Sequence, residues 1–353
     1  MFIRYPYIEG EDERYLHACG RVRALGGRFL DAGRLERMLG GRPAELLEML
    51  SDTFYAAYLE AASNYESVLL AARADLWKFF AGLMLDGDLV RLFSRRIDFH
   101  NLKVLIKQAV SEQDFSLALA PGGDVPADRI KDLVAEERYD LLPKELQRAV
   151  ERAVAEYYEN RDPRDIDFAV DREAHRWRLN LSLRRKNAFL IEWFRLTADL
   201  TNLRAALRLK WMAEATDTDG AAREGRVSLK KASLSGGYVP DDRLERILSE
   251  PWDALGSVFY AGPYASIMDH GAAHLHAQGS FDRLERLCEE HQLGFLACTR
   301  TITAGPEPVI AYLLARELEI RALRMIFVGK LNGLGVEDLR HRLPEIRRKV
   351  YIK

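Results

Sequence analysis

The chain has 353 residues, of which 48% are hydrophobic and 30% charged, a composition typical of globular proteins. Its 52 basic and 54 acidic residues leave a formal net charge of −2, so no overall positive charge favours nucleic-acid binding. Cys19, Cys288 and Cys298 are too few for a disulfide framework and are typical of a reducing cytosol. Charged residues interrupt the long apolar runs and the first residues lack a signal-peptide pattern, so we expect no membrane span.

Helical periodicity runs through most of the chain. Amphipathic helices are predicted from Pro43 to Tyr65 and from Pro143 to Tyr158. A longer helix is predicted over residues 188–212, where apolar side chains recur in steps of three and four. These side chains form one stripe: Phe189, Trp193, Leu196, Leu200, Leu203 and Leu207. The sequence therefore predicts an all-α protein.

The last third of the chain contains another long predicted helix. It is expected to begin at Gly305-Pro306, because proline suits the first turn of a helix, and to end at Asn332-Gly333. By contrast, residues Asp217 to Ser235 are polar and rich in Gly, Ala, Lys and Arg. This segment is predicted to be an exposed loop.

A pattern of an acid followed five residues later by a base recurs in three of the predicted long helices. Asp98-Phe99-His100-Asn101-Leu102-Lys103 matches Asp199-Leu200-Thr201-Asn202-Leu203-Arg204, and Glu319-Ile320-Arg321-Ala322-Leu323-Arg324 is a weaker copy. The acid and the base border an apolar stripe, so the leucines between them are predicted to be buried: Leu102, Leu203 and Leu323. We interpret the charges as structural, because catalysis rarely needs the same group three times.

A glycine turn and a short helix follow each of these long helices. The segment from Gly122 to Ile130 resembles that from Gly236 to Leu244, and Asn332 to Leu339 is a looser third version. The glycines end one helix and a proline opens the next, with an acid in its first turn. The repeat predicts three similar helical bundles, over residues 1–123, 124–238 and 239–353.

Several clusters resemble catalytic or metal-binding motifs, but each lacks a required part. Histidines at His270, His274 and His276 could ligate zinc, yet no Cys-x-x-Cys pair accompanies them, so interfacial histidines are favoured. Asp241-Asp242-Arg243-Leu244-Glu245 resembles the acid cluster with which all-α terpenoid synthases hold magnesium and diphosphate. Val328-Gly329-Lys330-Leu331 lacks the glycine and hydroxyl residue of a phosphate loop. We predict no catalytic, cofactor-binding or metal site.

The run from Glu307 to Ile320, continued by Val328-Gly329-Lys330-Leu331-Asn332-Gly333-Leu334, resembles the C subunit of prokaryotic V/A-type rotary ATPases. The eukaryotic counterpart of that family is the d subunit of the vacuolar proton pump. Tyr5-Pro6-Tyr7 with Arg21-Val22-Arg23 resembles the family's start, and Asp199 to Arg204 resembles its middle. The likeness extends over the whole chain.

The resemblance implies a three-domain helical funnel with approximate threefold symmetry on the cytoplasmic face of a membrane. Such a subunit is a central-stalk socket that accepts the central shaft subunits, rests on the membrane rotor ring, and couples shaft rotation to ion translocation. It has no catalytic site or cofactor and meets the membrane only through the complex. The transported ion, proton or sodium, and the direction of the reaction stay open. The alternatives are an all-α magnesium-dependent prenyl diphosphate enzyme and a generic helical scaffold.

The short helices after the glycine turns are the predicted contact surface for the rotor ring. The acids in their first turns are expected mainly to cap their own helices, whereas the arginines that follow are better placed to reach outward. Asp338 breaks this pattern in the third version. The candidate partner-contact residues are Arg129, Arg243, Asp128, Asp242 and Glu337.

Overall fold

The structure is a computed structural model that describes residues 11–60, 62, 64–111, 113, 115, 118–216, 221–260 and 262–344. Every regular element in these ranges is helical, which confirms the predicted all-α class. Among the described helices, none combines the length and the apolar character needed to span a membrane. The segment Tyr5-Pro6-Tyr7 lies outside the described residues.

Short 3₁₀ turns lie between some of the α-helices, and one π-helical turn, Ile267–Gly271, precedes the helix Ala272–Gln278. In chain order the α-helices of the described ranges are α1 (Leu16–Gly26), α2 (Ala32–Gly40), α3 (Tyr65–Leu83), α4 (Gly87–Ser111), α5 (Ala127–Ala135), α6 (Lys144–Asn160), α7 (Pro163–Arg184), α8 (Ala188–Thr216), α9 (Ala221–Ala232), α10 (Asp241–Ser249), α11 (Leu255–Val258), α12 (Ala272–Gln278), α13 (Asp282–Leu296), α14 (Pro306–Leu331) and α15 (Val336–Arg342).

One compact unit, here called the middle unit, spans Asp86–Pro251 and contains α4 to α10. The apolar faces of α4, α5, α6 and α7 bury a common core that includes Leu102, Ile130, Leu146, Val150, Ile166 and Val170. Helix α8 packs against α7, α9 and α10. The predicted stripe of α8 is buried in full, as expected for an amphipathic helix at the centre of a bundle.

The second compact unit, here called the terminal unit, combines Met1–Leu85 with Trp252–Lys353. Its central element is α14, which packs against α1 and α3 from the first segment and against α13 from the second. Most of the side chains of α14 are buried, so this helix is surrounded on several faces. The division of the chain into three bundles stays a prediction.

Three predicted helices are confirmed. The helix predicted over 188–212 is α8, and the helix predicted from Pro143 to Tyr158 is α6, with Pro143 as its N-cap residue. The helix predicted from Gly305-Pro306 is α14, which has Pro306 in its first turn and Asn332 as its C-cap. Apolar periodicity, together with proline at the start of α6 and of α14, therefore predicted these elements correctly.

The helix predicted from Pro43 to Tyr65 is wrong. The chain instead forms short 3₁₀ turns at Pro43–Glu45, Glu48–Leu50 and Phe54–Tyr58. Phe54 lies against the Arg316 guanidinium while the next residue, Tyr55, donates a hydrogen bond to the buried Glu319. The segment is thus held against the buried pair of Arg316 and Glu319 by individual side-chain contacts, which a helical period does not reveal.

The exposed loop predicted for Asp217 to Ser235 is also wrong where the structure describes it. Residues Ala221–Ala232 form α9, and residues 217–220 lie outside the described residues. Gly225 and Leu229 are buried one turn apart, and α9 packs on α8 and α10. Its other described side chains are mostly polar and exposed, so composition alone suggested a loop.

The three mid-stripe leucines are fully buried, which confirms the prediction for Leu102, Leu203 and Leu323. We expect replacement of each by alanine to lower the free energy of unfolding by about 2–5 kcal/mol, because each substitution leaves a cavity in a packed helical core. Urea denaturation measures the loss. Leu141→Ala is the matched control, since Leu141 is 42% exposed and should lose little. A loss at Leu203 no larger than at Leu141 would contradict the packing described.

Candidate interaction surface

Two fully buried aspartates hold the two glycine turns of the middle unit. Asp98 on α4 accepts hydrogen bonds from the backbone N–H groups of residues 124–125, at 3.3 and 3.2 Å. Asp199 on α8 accepts the corresponding bonds from residues 238–239, both at 3.0 Å. Both aspartates have 0% exposure. Each carboxylate therefore fixes the backbone that leads into a short helix, α5 or α10.

The glycines of these turns are required by the close approach of the carboxylates. A Cβ atom at Gly123 would lie 2.0 Å from the nearest oxygen of its aspartate, and one at Gly237 would lie 2.1 Å away. The preceding residues, Gly122 and Gly236, have φ values of +92° and +88°. Such φ values are in the left-handed region that favours glycine. The paired glycines are thus explained by two separate constraints.

Asparagines three residues after the aspartates hold the chain just before each turn. The Asn101 amide donates to the carbonyl of Ala120 at 2.9 Å and accepts from its N–H at 2.8 Å. Asn202 forms the same pair of bonds with Leu234, at 2.9 and 2.8 Å. The pattern Asp-x-x-Asn therefore clamps the backbone on both sides of the glycine pair.

The third acid, Glu319 on α14, binds a turn from the opposite end of the chain. Its Oε2 accepts a hydrogen bond of 2.6 Å from the N–H of Leu30, and its Oε1 accepts one of 2.8 Å from the Tyr55 hydroxyl. Glu319 is fully buried, like the two aspartates. Leu30 comes directly before Asp31, the N-cap of α2. A buried acid on a long helix thus again holds the entry of a short helix.

The segment Leu30-Asp31-Ala32-Gly33-Arg34-Leu35 is the counterpart of residues 125–130 and 239–244. The three short helices, α2, α5 and α10, each contain 9 residues. Asn332 to Leu339 does form the predicted glycine turn, and a short helix, α15, follows it with Glu337 in its first turn, but this turn is not the counterpart that Glu319 anchors. The N–H groups at 333–334 donate to carbonyls of α14 itself and only close that helix. Arg34-Leu35 matches Arg129-Ile130 and Arg243-Leu244, so this dipeptide was the sequence signal for the N-terminal turn.

Arginines one helical turn before two of the acids partly neutralise them. Arg95 donates to Asp98 at 2.8 Å, and Arg316 donates to Glu319. Leu196 is at this position before Asp199. Burial raises the pKa of the Asp98 carboxyl, although the N–H of Val125 and the Arg95 guanidinium act in the opposite direction. The copies therefore share the anchoring geometry but differ in the residue one turn before the acid.

Aromatic rings surround the fully buried Arg316. Its guanidinium carbon lies 3.8 Å from the ring centroid of Phe29, 4.4 Å from that of Phe54 and 5.4 Å from that of Tyr312. Burial alone would lower the pKa of Arg316, but the carboxylate of Glu319 and the neighbouring tyrosines raise it above its usual value. The charge is thus held by an ion pair and cation–π contacts.

The predicted contact residues are all exposed at the surface. Asp128 and Arg129 lie in the first turn of α5, and Asp242 and Arg243 lie in the first turn of α10. These four residues belong to the middle unit, whereas Glu337 lies on α15 of the terminal unit. The structure therefore places the candidates on three separate short helices.

Proline, not aspartate, is the N-cap of α5 and α10. Pro126 and Pro240 form no side-chain capping bond, and the acids Asp128 and Asp242 lie inside the first turn. In α2, by contrast, the Asp31 carboxylate accepts a bond of 2.8 Å from the N–H of Arg34. The first-turn acids still interact favourably with the positive end of the helix dipole.

The histidine and acid clusters are dispersed or exposed. His274 contacts Asp282 at 3.2 Å, and the ring of His276 stacks on Trp252 with centroids 5.2 Å apart. Within the described ranges, no three His, Cys, Asp or Glu side chains are grouped to hold a metal ion. The acids of residues 241–245 are exposed on the surface of α10.

Comparisons with known proteins extend over nearly the whole chain. A family model described as ATP synthase (C/AC39) subunit matches residues 18–342. The C subunit of the V-type sodium ATPase of Enterococcus hirae is 24% identical over 303 residues, which are 85% of this chain and 88% of that protein. The C subunits of the A-type ATP synthases of Methanocaldococcus jannaschii and Halorubrum lacusprofundi are 22% and 25% identical. Both alignments cover 93% of this chain, and they cover 86% and 96% of those proteins.

We predict that Gly123→Ala and Gly237→Ala each lower the free energy of unfolding by about 1–3 kcal/mol, because the new methyl group overlaps the buried carboxylate. Gly82→Ala is the matched control, since no atom lies within 4 Å of its added Cβ. Gly82 is in α3, where alanine favours the helix, so this variant should be neutral or slightly more stable. Equal effects of the three variants in urea denaturation would contradict the assigned carboxylate contacts.

Two histidines, the buried His175 and the partly buried His291, are expected to make the chain less stable in mild acid. Burial lowers the pKa of His175 and of His291 from about 6.5 to about 4. The folded state therefore binds fewer protons than the unfolded state, so stability is full above about pH 6.5 and is lost as the pH falls toward 4. Each histidine contributes up to about 3 kcal/mol to this loss.

The variant His291→Gln tests this pH dependence, because it removes one of the two titrating groups. We expect its free energy of unfolding to fall less than that of the unaltered chain between pH 6.5 and pH 4. His270→Gln is the control, since the side chain of His270 is 56% exposed. A pH profile that both substitutions leave unaltered would count against the role of His291.

Proposed function

This chain belongs to the ATP synthase (C/AC39) subunit family, and we propose that it is the non-catalytic C subunit of a V/A-type rotary ATPase. In this role it joins the central shaft subunits to the membrane rotor ring and transmits rotation between them. The observation that carries the proposal is the family match over residues 18–342. Three relatives named as C subunits, aligned over 85% or 93% of the chain, support it.

The three turns held by Asp98, Asp199 and Glu319, here called the anchored turns, suit a protein that transmits torque. A subunit that transmits rotation must hold the helices that contact its partners firmly on the helices beneath them. If these helices moved locally, part of the torque would deform the subunit and would not reach the partner. Helices α2, α5 and α10 are each attached to a long helix by a fully buried acid, at Glu319, Asp98 and Asp199. Buried hydrogen bonds to a charged acceptor are among the stronger non-covalent contacts. We infer that they keep the short helices fixed under load.

The exposed first turns of α5 and α10 are the proposed contacts with polar loops of the rotor ring. They present Arg129 and Arg243 beside Asp128 and Asp242, so a partner with alternating charges could pair with both signs. Glu337 stays a predicted contact on α15. It lies beside Arg340, with which it forms an ion pair.

Arg34 occupies the corresponding position on α2 but is engaged within the chain. Its guanidinium lies 3.3 Å from the carboxylate of Asp52, and the side chain is only 29% exposed. Arg129 and Arg243 are exposed whereas Arg34 is only partly exposed, so we assign the ring contact to α5 and α10 first.

The proposed location is the cytoplasmic face of the membrane, with membrane contact only through the complex. The ion is not assigned, because the Enterococcus hirae relative is named a sodium ATPase and the two archaeal relatives are named ATP synthases. The shaft would supply or receive the mechanical work, so the chain itself needs no nucleotide hydrolysis.

The proposal is tested by affinity purification of the tagged chain from detergent-solubilised membranes of the source cells. We expect the rotor ring and the shaft subunits to co-purify, and the purified chain alone to show no ATP hydrolysis. Recovery of the folded chain without either partner would count against the assignment.

The same purification tests the contact residues. The double variant Arg129→Glu, Arg243→Glu should reduce ring recovery about three- to tenfold at low salt and less at moderate salt, because surface charge pairs are screened by ions. The control is Arg226→Glu with Lys230→Glu, an equal charge change at exposed positions of α9. If both variants recover the ring equally, α5 and α10 are not the contact surface, whereas the family assignment still stands.

A further inference from the structure

A groove of about 510 Å³ lies in the middle unit between the start of α6 and the C-terminal half of α7. Cations from both helices line it: Lys144 and Arg148 from α6, and Arg176 and Arg184 from α7. The volume is within the range of small-molecule sites, about 300–1,000 Å³. None of these residues belongs to the anchored turns, so the proposed coupling role does not explain the groove.

Each of the two carboxylates of the groove is paired with an arginine. Glu173 lies 2.5 Å from a guanidinium nitrogen of Arg176 and 2.9 Å from one of Arg152. Glu145 lies 3.0 Å from Nε of the buried Arg95. Arg95 also pairs with Asp98, so it shares its one charge between two carboxylates. The lining still keeps a net positive charge, because four cations face two carboxylates.

The remaining cations are exposed and carry unbalanced positive charge. Within the described part of the chain, Arg148 and Arg184 form no ion pair, and both side chains are exposed. The Lys144 ammonium donates only to the neutral Gln147 side chain, at 3.3 Å. Three cations on two helices thus converge on one groove without an acidic partner, which favours a multivalent anion.

An aromatic side chain forms part of the wall. Trp177 is partly buried, and its ring centroid lies 6.1 Å from that of Phe99 in the core beneath. The exposed Asn180 and Leu183 lie along the same side of α7. The groove therefore offers guanidinium groups for phosphate oxygens, an amide for hydrogen bonds, and an indole against which a planar ring can rest.

We propose that this groove binds compounds with two or more linked phosphate groups. Guanidinium groups match phosphate oxygens in a bidentate way, and cations spread over two helices reach a chain of phosphates better than a single phosphate. Inorganic pyrophosphate and nucleoside di- or triphosphates share this chemistry. Contact with Trp177 distinguishes them, since only the nucleotides carry a base.

The test is calorimetric titration of the full chain with pyrophosphate, ATP and orthophosphate at low and moderate salt. We expect saturable binding of pyrophosphate or ATP, at least about tenfold tighter than that of orthophosphate and weaker at higher salt. If ATP binds more tightly than pyrophosphate and changes the tryptophan fluorescence, and Trp177→Leu removes this change, the ligand of the groove is a nucleotide. No binding of either compound, or equal binding of orthophosphate, would overturn the proposal.

The variant Arg148→Gln with Arg184→Gln should weaken pyrophosphate binding by about tenfold or more, because both changes remove charged phosphate donors. Both side chains are exposed, so thermal unfolding should be unchanged and loss of binding is not loss of folding. Arg226→Gln with Lys230→Gln on α9 is the matched control for net charge. Equal affinity of the two double variants, or binding of a poly-glutamate peptide where pyrophosphate does not bind, would also overturn the proposal.

Discussion

The short helices are positioned by one kind of contact: a buried carboxylate accepts hydrogen bonds from the backbone N–H groups of a distant turn. Each side of this contact needs the other: the carboxylates of Asp98, Asp199 and Glu319 are fully buried, and the N–H groups that face them are costly to leave unpaired. A turn that moved away would leave both partners unsatisfied. The arrangement therefore fixes where each short helix begins, and with it the surface that this helix exposes.

The length of the acid determines which residues the turn can contain. An aspartate keeps its carboxylate close to its own helix, so the turn must approach so closely that Gly123 and Gly237 have no room for a Cβ. Glu319 reaches about 1.5 Å farther, through one additional C–C bond. The turn before α2 can then stand farther from α14, and Arg28 occupies the position of those glycines. Glutamate in place of aspartate and Arg28 in place of glycine are thus two parts of one structural adjustment.

This adjustment explains what the sequence could predict and what it could not. The copies at Asp98 and Asp199 share the glycine pair and the proline, so both the turns and the short helices were evident. The third turn has Arg28 at the position of the second glycine and lies 289 residues from Glu319, so local similarity favoured Gly333 instead. Side-chain contacts decided the 3₁₀ turns around Tyr55, and no helical period could reveal them. The exposed positions of Arg129 and Arg243 followed from their places in the first turns.

The separation of contacting residues also distinguishes the two units. Asp98 and Val125 are 27 residues apart, whereas Leu30 and Glu319 are 289 apart. Closing the longer segment costs about 2 kcal/mol more in chain entropy. Glu319 makes additional contacts that act against this cost, since Tyr55 donates to it and Arg316 pairs with it inside an aromatic enclosure. The anchor at Glu319 therefore has contacts beyond the turn itself, at the point where the chain brings together residues 289 apart.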